Sequence, residues 1–208
     1  MKRQLIIGIA FALVALIIGV ETYKTTRPSA GQLKFKVRDT IAYGYGTTDS
    51  RSGGIVKQLI QDHPQVETLV FKNMPGTQDA MTNLRLARTI RAAGLNTHLE
   101  RGSFIASGAV DLFLAGAERT MECGALIGVH THYVLQGGGG VVRGKSFHPG
   151  NTGYDSMRVH SEKFLEDMGI DPGFYLFTRE AALPEELYYL KPDDIRSFDL
   201  LTEPLNCD

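Results

Sequence analysis

Ser107 stands between small residues in the run SFIASGAVDLFLAG, and His130 closes the apolar run GALIGV. A serine in a tight turn that opens directly into an apolar helix holds its hydroxyl oxygen near the positive end of that helix, where an alkoxide or oxyanion is stabilised. A histidine ending a buried strand further along the chain is placed to return as general base toward such a serine. The chemistry these two residue types share is acyl transfer. The turn after VETLVF adds a third part: Lys72, Asn73, Met74, Pro75, Gly76 and Thr77 lead into a helical pattern. A Pro-Gly turn there leaves backbone N–H groups pointing outward, which is how an oxyanion hole is built from main chain. Taken singly, these signals have bland alternatives. A serine before a helix also serves as an N-cap, and Pro-Gly turns commonly join strands to helices.

The elements that must position these residues are legible from hydrophobic periodicity. Apolar and β-branched runs at Phe35 to Val37, Ile41 to Tyr45, Val66 to Phe71, Leu95 to Leu99 and Ala125 to Val129 predict strands. Between them, Gly53 to Gln61, Gln78 to Ala93 and Ser107 to Ala117 carry helical patterns, and Tyr154 to Met168 adds another. Near the C-terminus, Tyr188 to Leu190 reads as a strand, followed by a short helix starting near Pro192 and a final strand. Alternation of strand and helix predicts an α/β fold with a mostly parallel sheet flanked by helices. Ligand sites in such sheets lie at the carboxyl ends of the strands, where Gly76, Ser107 and His130 all fall.

The chain of 208 residues is sized for one domain with a full core, and its net charge of -1 without a basic cluster argues against a nucleic-acid partner. Residues 1–20 hold the unbroken apolar run LIIGIAFALVALIIGV behind Lys2 and Arg3. Its length lies between a signal-peptide core and a spanning helix. Poor cleavage pairs at Ile17 with Gly19, and at Pro28 with Ala30, favour an uncleaved membrane anchor over a signal. The charges before the run place the rest of the chain outside the cytoplasm, in a periplasm or its equivalent. Residues 21–34 read as a linker, and 35–208 as the folded domain. The two cysteines, Cys123 and Cys207, exclude a disulfide scaffold and leave one pairing or two free thiols open.

The segments NMPGTQDA and ASGAVDLFLAGAERTMECGALIGVH resemble the proteolytic subunit of the Clp protease and the wider Clp/crotonase superfamily, most closely its periplasmic, membrane-anchored branch. That family carries a Ser-Pro-Gly-Gly turn, an Ala-Ser-x-Gly-Ala segment entering an apolar helix, and an apolar run ending in histidine. The order agrees from about Ile41 to His130. The resemblance implies a Clp/crotonase-like domain with Ser107 as nucleophile, His130 as general base and the backbone N–H groups of Gly76 and Gly108 as oxyanion donors. It implies Glu180 as the third member, with Glu186 and Asp171 as rivals. Thr77 replaces the second glycine of the family's turn, the residue between serine and glycine is missing, and His-Gln-Pro becomes His130, Thr131, His132. Three functions follow: a serine hydrolase acting on a peptide or other acyl substrate, a binding or scaffold protein of the same fold, or a crotonase-type acyl-thioester enzyme. No cofactor is implied, the membrane is a partner through the N-terminal helix, and a homo-oligomer is compatible.

Two further patterns carry less. His130 and His132 are spaced to share one face of a strand, with His148, His160 or Asp155 available to complete a metal shell, yet no short Cys or His spacing supports zinc. Gly139 to Ser146 matches the phosphate-loop pattern, but Phe147, His148, Pro149 and Gly150 do not open the helix whose N–H groups would bind phosphate. The whole stretch Gln136 to Gly153 reads instead as a long mobile loop beside the site.

Overall fold

The computed structural model describes residues 31–131, 134–135, 141–142 and 152–207, the side chains of 134–135, 141–142 and 152–156 excepted. The first elements are β1 (Lys34–Arg38), β2 (Ile41–Tyr45), α1 (Ser52–Asp62), β3 (Thr68–Met74), α2 (Ala80–Ala92) and β4 (Asn96–Leu99). Then come β5 (Phe104–Ala106), α3 (Gly108–Leu114), β6 (Arg119–Met121), β7 (Leu126–Val129), β8 (Val134–Leu135) and β9 (Val141–Val142). The last four are α4 (Thr152–Met168), α5 (Gly173–Ala181), β10 (Tyr188–Tyr189) and α6 (Pro192–Ser197).

The main sheet runs in the order β1-β2-β3-β5-β7-β10, with β4 pairing β3 and β6 beside that path. β3 is the hinge of the arrangement. Its first half, from Thr68 to Val70, pairs with β4, whereas Asn73 and Met74 pair with β5. All pairings among β2 to β7 are parallel, and the outer strands β1 and β10 are antiparallel to their neighbours. A parallel strand covered on both faces needs a continuous apolar run rather than an alternating one. Leu69, Val70 and Phe71 supply it, all three buried. The helical spacing of α2 turns Leu84, Ala87 and Ile90 into the same core, where Ile105, Phe113 and Ile127 meet them. Asp79 starts α2 by accepting a hydrogen bond from the Thr82 N–H at 2.9 Å.

The five expected strands are present as β1, β2, β3, β4 and β7, and the four main helical patterns as α1 to α4. Four details differ from the expectation. β5 and β6 are not legible in the sequence, because three residues are too few to display a period. α3 stops at Leu114 rather than at Ala117, where the Thr97 hydroxyl donates to the Phe113 carbonyl at 2.6 Å and Gly116 lies too close to Thr97 to accept a Cβ. α5 is a helix outside the predicted elements. The expected last strand does not form, although Thr202 N–H does donate to the Arg119 carbonyl at 3.0 Å. The reciprocal bond from Arg119 N–H goes to the Thr202 hydroxyl at 2.8 Å, so a side chain takes the place of the ladder.

At the start of the domain, Gln32 bridges Thr47 and Leu33 is buried in the core, so the folded part reaches into the segment read as linker. Cys123 and Cys207 form a disulfide with their Cα atoms 5.5 Å apart, which settles the open choice between a bridge and two thiols. Within the stretch read as a mobile loop, Val141–Val142 pairs antiparallel with Val134–Leu135. The remainder of that loop, the apolar N-terminal run and most of the linker lie outside the described residues. No described helix is long and apolar enough to cross a membrane.

Candidate active site

Three adjacent parallel strands, β3, β5 and β7, end on the same edge of the sheet; Ser107 and His130 directly follow β5 and β7, and Gly76 follows β3 after Pro75. The register fixes this juxtaposition: Met74 lies opposite Ile105, and Ala106 opposite Gly128. Neighbouring strands lie about 4.8 Å apart, so whatever follows them at equal height is brought together. The Ser107 N–H donates to the Gly128 carbonyl at 3.0 Å, carrying the β5–β7 pairing one residue past the strand.

Ser107 then turns abruptly. Its backbone adopts φ 53 and ψ -132, a conformation that L side chains avoid. The same kind of sharp strand-to-helix turn raises a nucleophilic serine above its sheet in other hydrolases. As the residue preceding α3, Ser107 makes no side-chain capping bond, so the helix-cap role does not explain it. Gly76 is buried directly against this turn. A Cβ placed on it would approach Ser107 Cβ to 3.1 Å and Ser107 Oγ to 3.5 Å, and its φ of 140 is itself in the region that favours glycine. The Thr48 N–H donates to the Gly76 carbonyl at 3.1 Å and so sets the orientation of the turn. Gly108 fits closely too, since a Cβ there would collide with the Thr77 side chain. Its N–H is one of the orphan donors at the start of α3.

Ser107, Gly108 and His130 line one cavity of about 400 Å³. Its other walls come from α2 through Leu84, from α3 through Val110, from α4 through Phe164 and Leu165, and from α5 through Phe174 and Tyr175. Thr77 and Gln78, which follow Gly76, form part of the lining. His130 is half-buried. The residue after it is anchored where Thr131 N–H donates to the carbonyl of Ala182 at 3.0 Å, tying the exit of β7 to the end of α5.

The proposed third member is not part of this grouping. Glu180 is exposed on α5 and absent from the cavity lining, and Glu186 and Asp171 are exposed as well. Asp171 is engaged locally, accepting from the Gly173 N–H at 2.8 Å at the start of α5. His160 is exposed, while His132, His148 and the side chain of Asp155 lie outside the described residues. Among the described residues, no group of His, Cys, Asp and Glu is clustered tightly enough to hold a metal.

Two residues of the site lie outside the set expected from the sequence. Asp111 lies one helical turn beyond Ser107 and lines the same cavity. Burial pushes its carboxyl up to about 7, against the opposing hydrogen bond from Asn83. Asn83 is fully enclosed between α2 and α3. Its amide donates to the Gly108 carbonyl at 2.7 Å and to Asp111 Oδ2 at 3.0 Å, and its Oδ1 accepts from the Thr48 hydroxyl at 2.8 Å. One side chain therefore links the Gly76 turn, through Thr48, to the start of α3. An acid at the i+4 position from a candidate serine is a usable signal, though helical charge patterns are usually read as solvated faces.

The fold is a mixed α/β fold with a largely parallel sheet flanked by helices. No protein-family model matches the sequence, and no curated protein matches it either. Among solved structures, the membrane-bound stomatin-specific protease 1510-N, in a serine-to-alanine variant, aligns with a TM-score of 0.50 at 13% identity, covering 80% of this chain and 80% of that one. A lysine-to-alanine variant of the same protease in complex with a substrate peptide aligns with a TM-score of 0.51 at 14% identity, covering 80% of this chain and 75% of that one. An enoyl-CoA hydratase/isomerase family member reaches only 0.48 at 11% identity, covering 83% of this chain and 69% of that one. At these identities the likeness establishes the fold and leaves the activity to the site.

Proposed function

We propose that this protein is a membrane-anchored serine hydrolase, acting on peptides on the extracytoplasmic side. The observation that carries the reading is the Ser107 turn: a non-glycine residue held at positive φ, making no capping bond, on the wall of a cavity it shares with His130. Backbone strain of about 1–3 kcal/mol at one position persists only where the surrounding structure over-determines it, and such positions gather at functional sites.

In this reading Ser107 Oγ attacks the substrate carbonyl carbon while His130 takes the hydroxyl proton. The carbonyl oxygen becomes an oxyanion held by the backbone N–H groups of Gly108 and Gly76. His130 returns its proton to the leaving amine as the carbon–nitrogen bond breaks, leaving an acyl ester on Ser107. Water, deprotonated by the same histidine, then cleaves that ester and restores the serine. Because Glu180 lies away from the cavity, the proposal rests on a serine and one base. The substrate peptide bound by a structural neighbour supports a peptide as the acyl group.

Two features support the location. Lys2 and Arg3 precede the apolar run, an order that keeps the N-terminus cytoplasmic. The Cys123–Cys207 disulfide suits an oxidising compartment. A fluorophosphonate probe tests the chemistry. The full chain should acquire one covalent adduct on Ser107, located by peptide mass spectrometry, and the Ser107→Ala protein none. Absence of labelling in the parent would leave the binding or acyl-thioester readings in its place.

A further inference from the structure

Among the described residues, the cavity beside Ser107 has one carboxyl group on its wall and no lysine or arginine to meet it. Apolar groups dominate the lining, among them Leu84, Val110, Phe164 and Leu165. Among the described lining residues, Asp111 interrupts the apolar surface one turn of helix from the serine. Among the described residues its hydrogen-bond partner is Asn83, which reaches Oδ2 and leaves Oδ1 unbonded. An acid in such a place is costly unless something compensates it. The raised affinity of Asp111 for its proton, caused by burial, expresses that cost in the unliganded protein.

We propose that this cavity is a specificity pocket for a cationic side chain of the substrate, of the lysine or arginine type, with Asp111 as the residue that selects it. The inference rests on the reading of the cavity as the substrate site, whether or not turnover follows. A long basic side chain matches both halves of the lining. Its methylenes lie against Leu84, Val110 and Phe164, and its charged end meets the free carboxylate oxygen. An acid at the base of an otherwise closed pocket sets a preference for basic side chains in other serine peptidases by the same physics. About 400 Å³ is room enough for one such side chain. Asn83 is the positioning residue, since it fixes the Asp111 carboxylate relative to the Gly108 turn.

The test is titration calorimetry of the full chain at pH 7 with two peptides, acetyl-Ala-Ala-Arg-amide and acetyl-Ala-Ala-norleucine-amide. The arginine peptide should bind about tenfold or more tightly, the range of a charge-assisted hydrogen bond in a partly closed site. It should also release protons, read from the dependence of the heat on buffer ionisation, because pairing drives Asp111 to its carboxylate form. The norleucine peptide controls for the His130 ring, which also lines the wall. In Asp111→Asn, which keeps an acceptor for Asn83, the two affinities should converge to within about threefold, with thermal unfolding confirming a folded protein. In Ser107→Ala the preference should survive. Equal binding of the two peptides by the parent, or a preference that persists in Asp111→Asn, overturns the proposal. Ser107 labelling is scored separately. A preference without labelling removes the hydrolase reading and leaves a cation-selective binding pocket, whereas labelling without a preference overturns the pocket alone.

Discussion

Ser107 is where backbone and chemistry conflict, and two substitutions separate them. Glycine tolerates φ 53 without strain, so Ser107→Gly should stabilise the fold by on the order of 1 kcal/mol, after allowance for the larger entropy of its unfolded chain. Ser107→Ala keeps the Cβ and should leave stability close to that of the parent. Both should abolish probe labelling, so denaturant unfolding and labelling together test whether the strain serves the hydroxyl. If glycine destabilises, the turn is not strained in the manner argued. His130→Ala should slow labelling by about 10² to 10⁴, the range of a positioned general base. Asp111 supplies a pH signature. Its folded pKa of about 7 lies above its ordinary value of 3.8, so between those pH values the unfolded chain has lost a proton that the folded chain retains. The acid's contribution is therefore complete below about pH 4 and lost as pH rises through 7. Asp111→Asn should unfold at a higher temperature than the parent at pH 8, with the difference shrinking towards pH 4. A constant difference across that range would mean that burial does not perturb this carboxyl.

The site is assembled by elements that share no local sequence. Three strand ends bring Gly76, Ser107 and His130 to one edge, while α2 reaches across with Asn83 to hold the first turn of α3. That geometry leaves no space for a side chain at Gly108. In Gly108→Ala the new Cβ would meet Thr77 Cβ at 2.8 Å and the Asn83 amide at 3.1 Å, so either the Thr77 turn or α3 must shift. Overpacking of this kind costs about 1–3 kcal/mol. The same shift misaligns the oxyanion donor, so labelling should fall by more than the loss of folded protein explains. A control at Gly94, where an added Cβ meets nothing but φ is 68, should lose some stability and retain labelling. If both variants label equally well, the close approach of Thr77 and α3 has no bearing on the serine.

The molecule as a whole is closed by the disulfide, which joins the end of the chain to the loop after β6 across a separation of 84 residues. A bridge over a loop of that length contributes about 2–4 kcal/mol, chiefly by restricting the unfolded chain. Reduction should lower the denaturant midpoint accordingly, and Cys207→Ser should reproduce the loss without reductant. Much of this architecture is legible in the sequence. Apolar runs such as VETLVF and the spacing of Leu84, Ala87 and Ile90 depend only on which faces must be buried, and burial is written into residue order. The Ser107 and His130 segments are legible for the same reason, since each is a small polar interruption at the end of an apolar run. Order alone does not place Glu180, because its position depends on how α5 docks, and that docking turns it to solvent. Nor does it pair Cys123 with Cys207, or bring Asn83 beside Asp111, since sequence separation carries no information on distance across a fold. In the sequence Asp111 is one polar residue in an apolar helical run. The tertiary structure alone gives it a cavity, one amide partner and a raised proton affinity, because desolvation is a property of the atoms packed around a group and not of its neighbours in the chain.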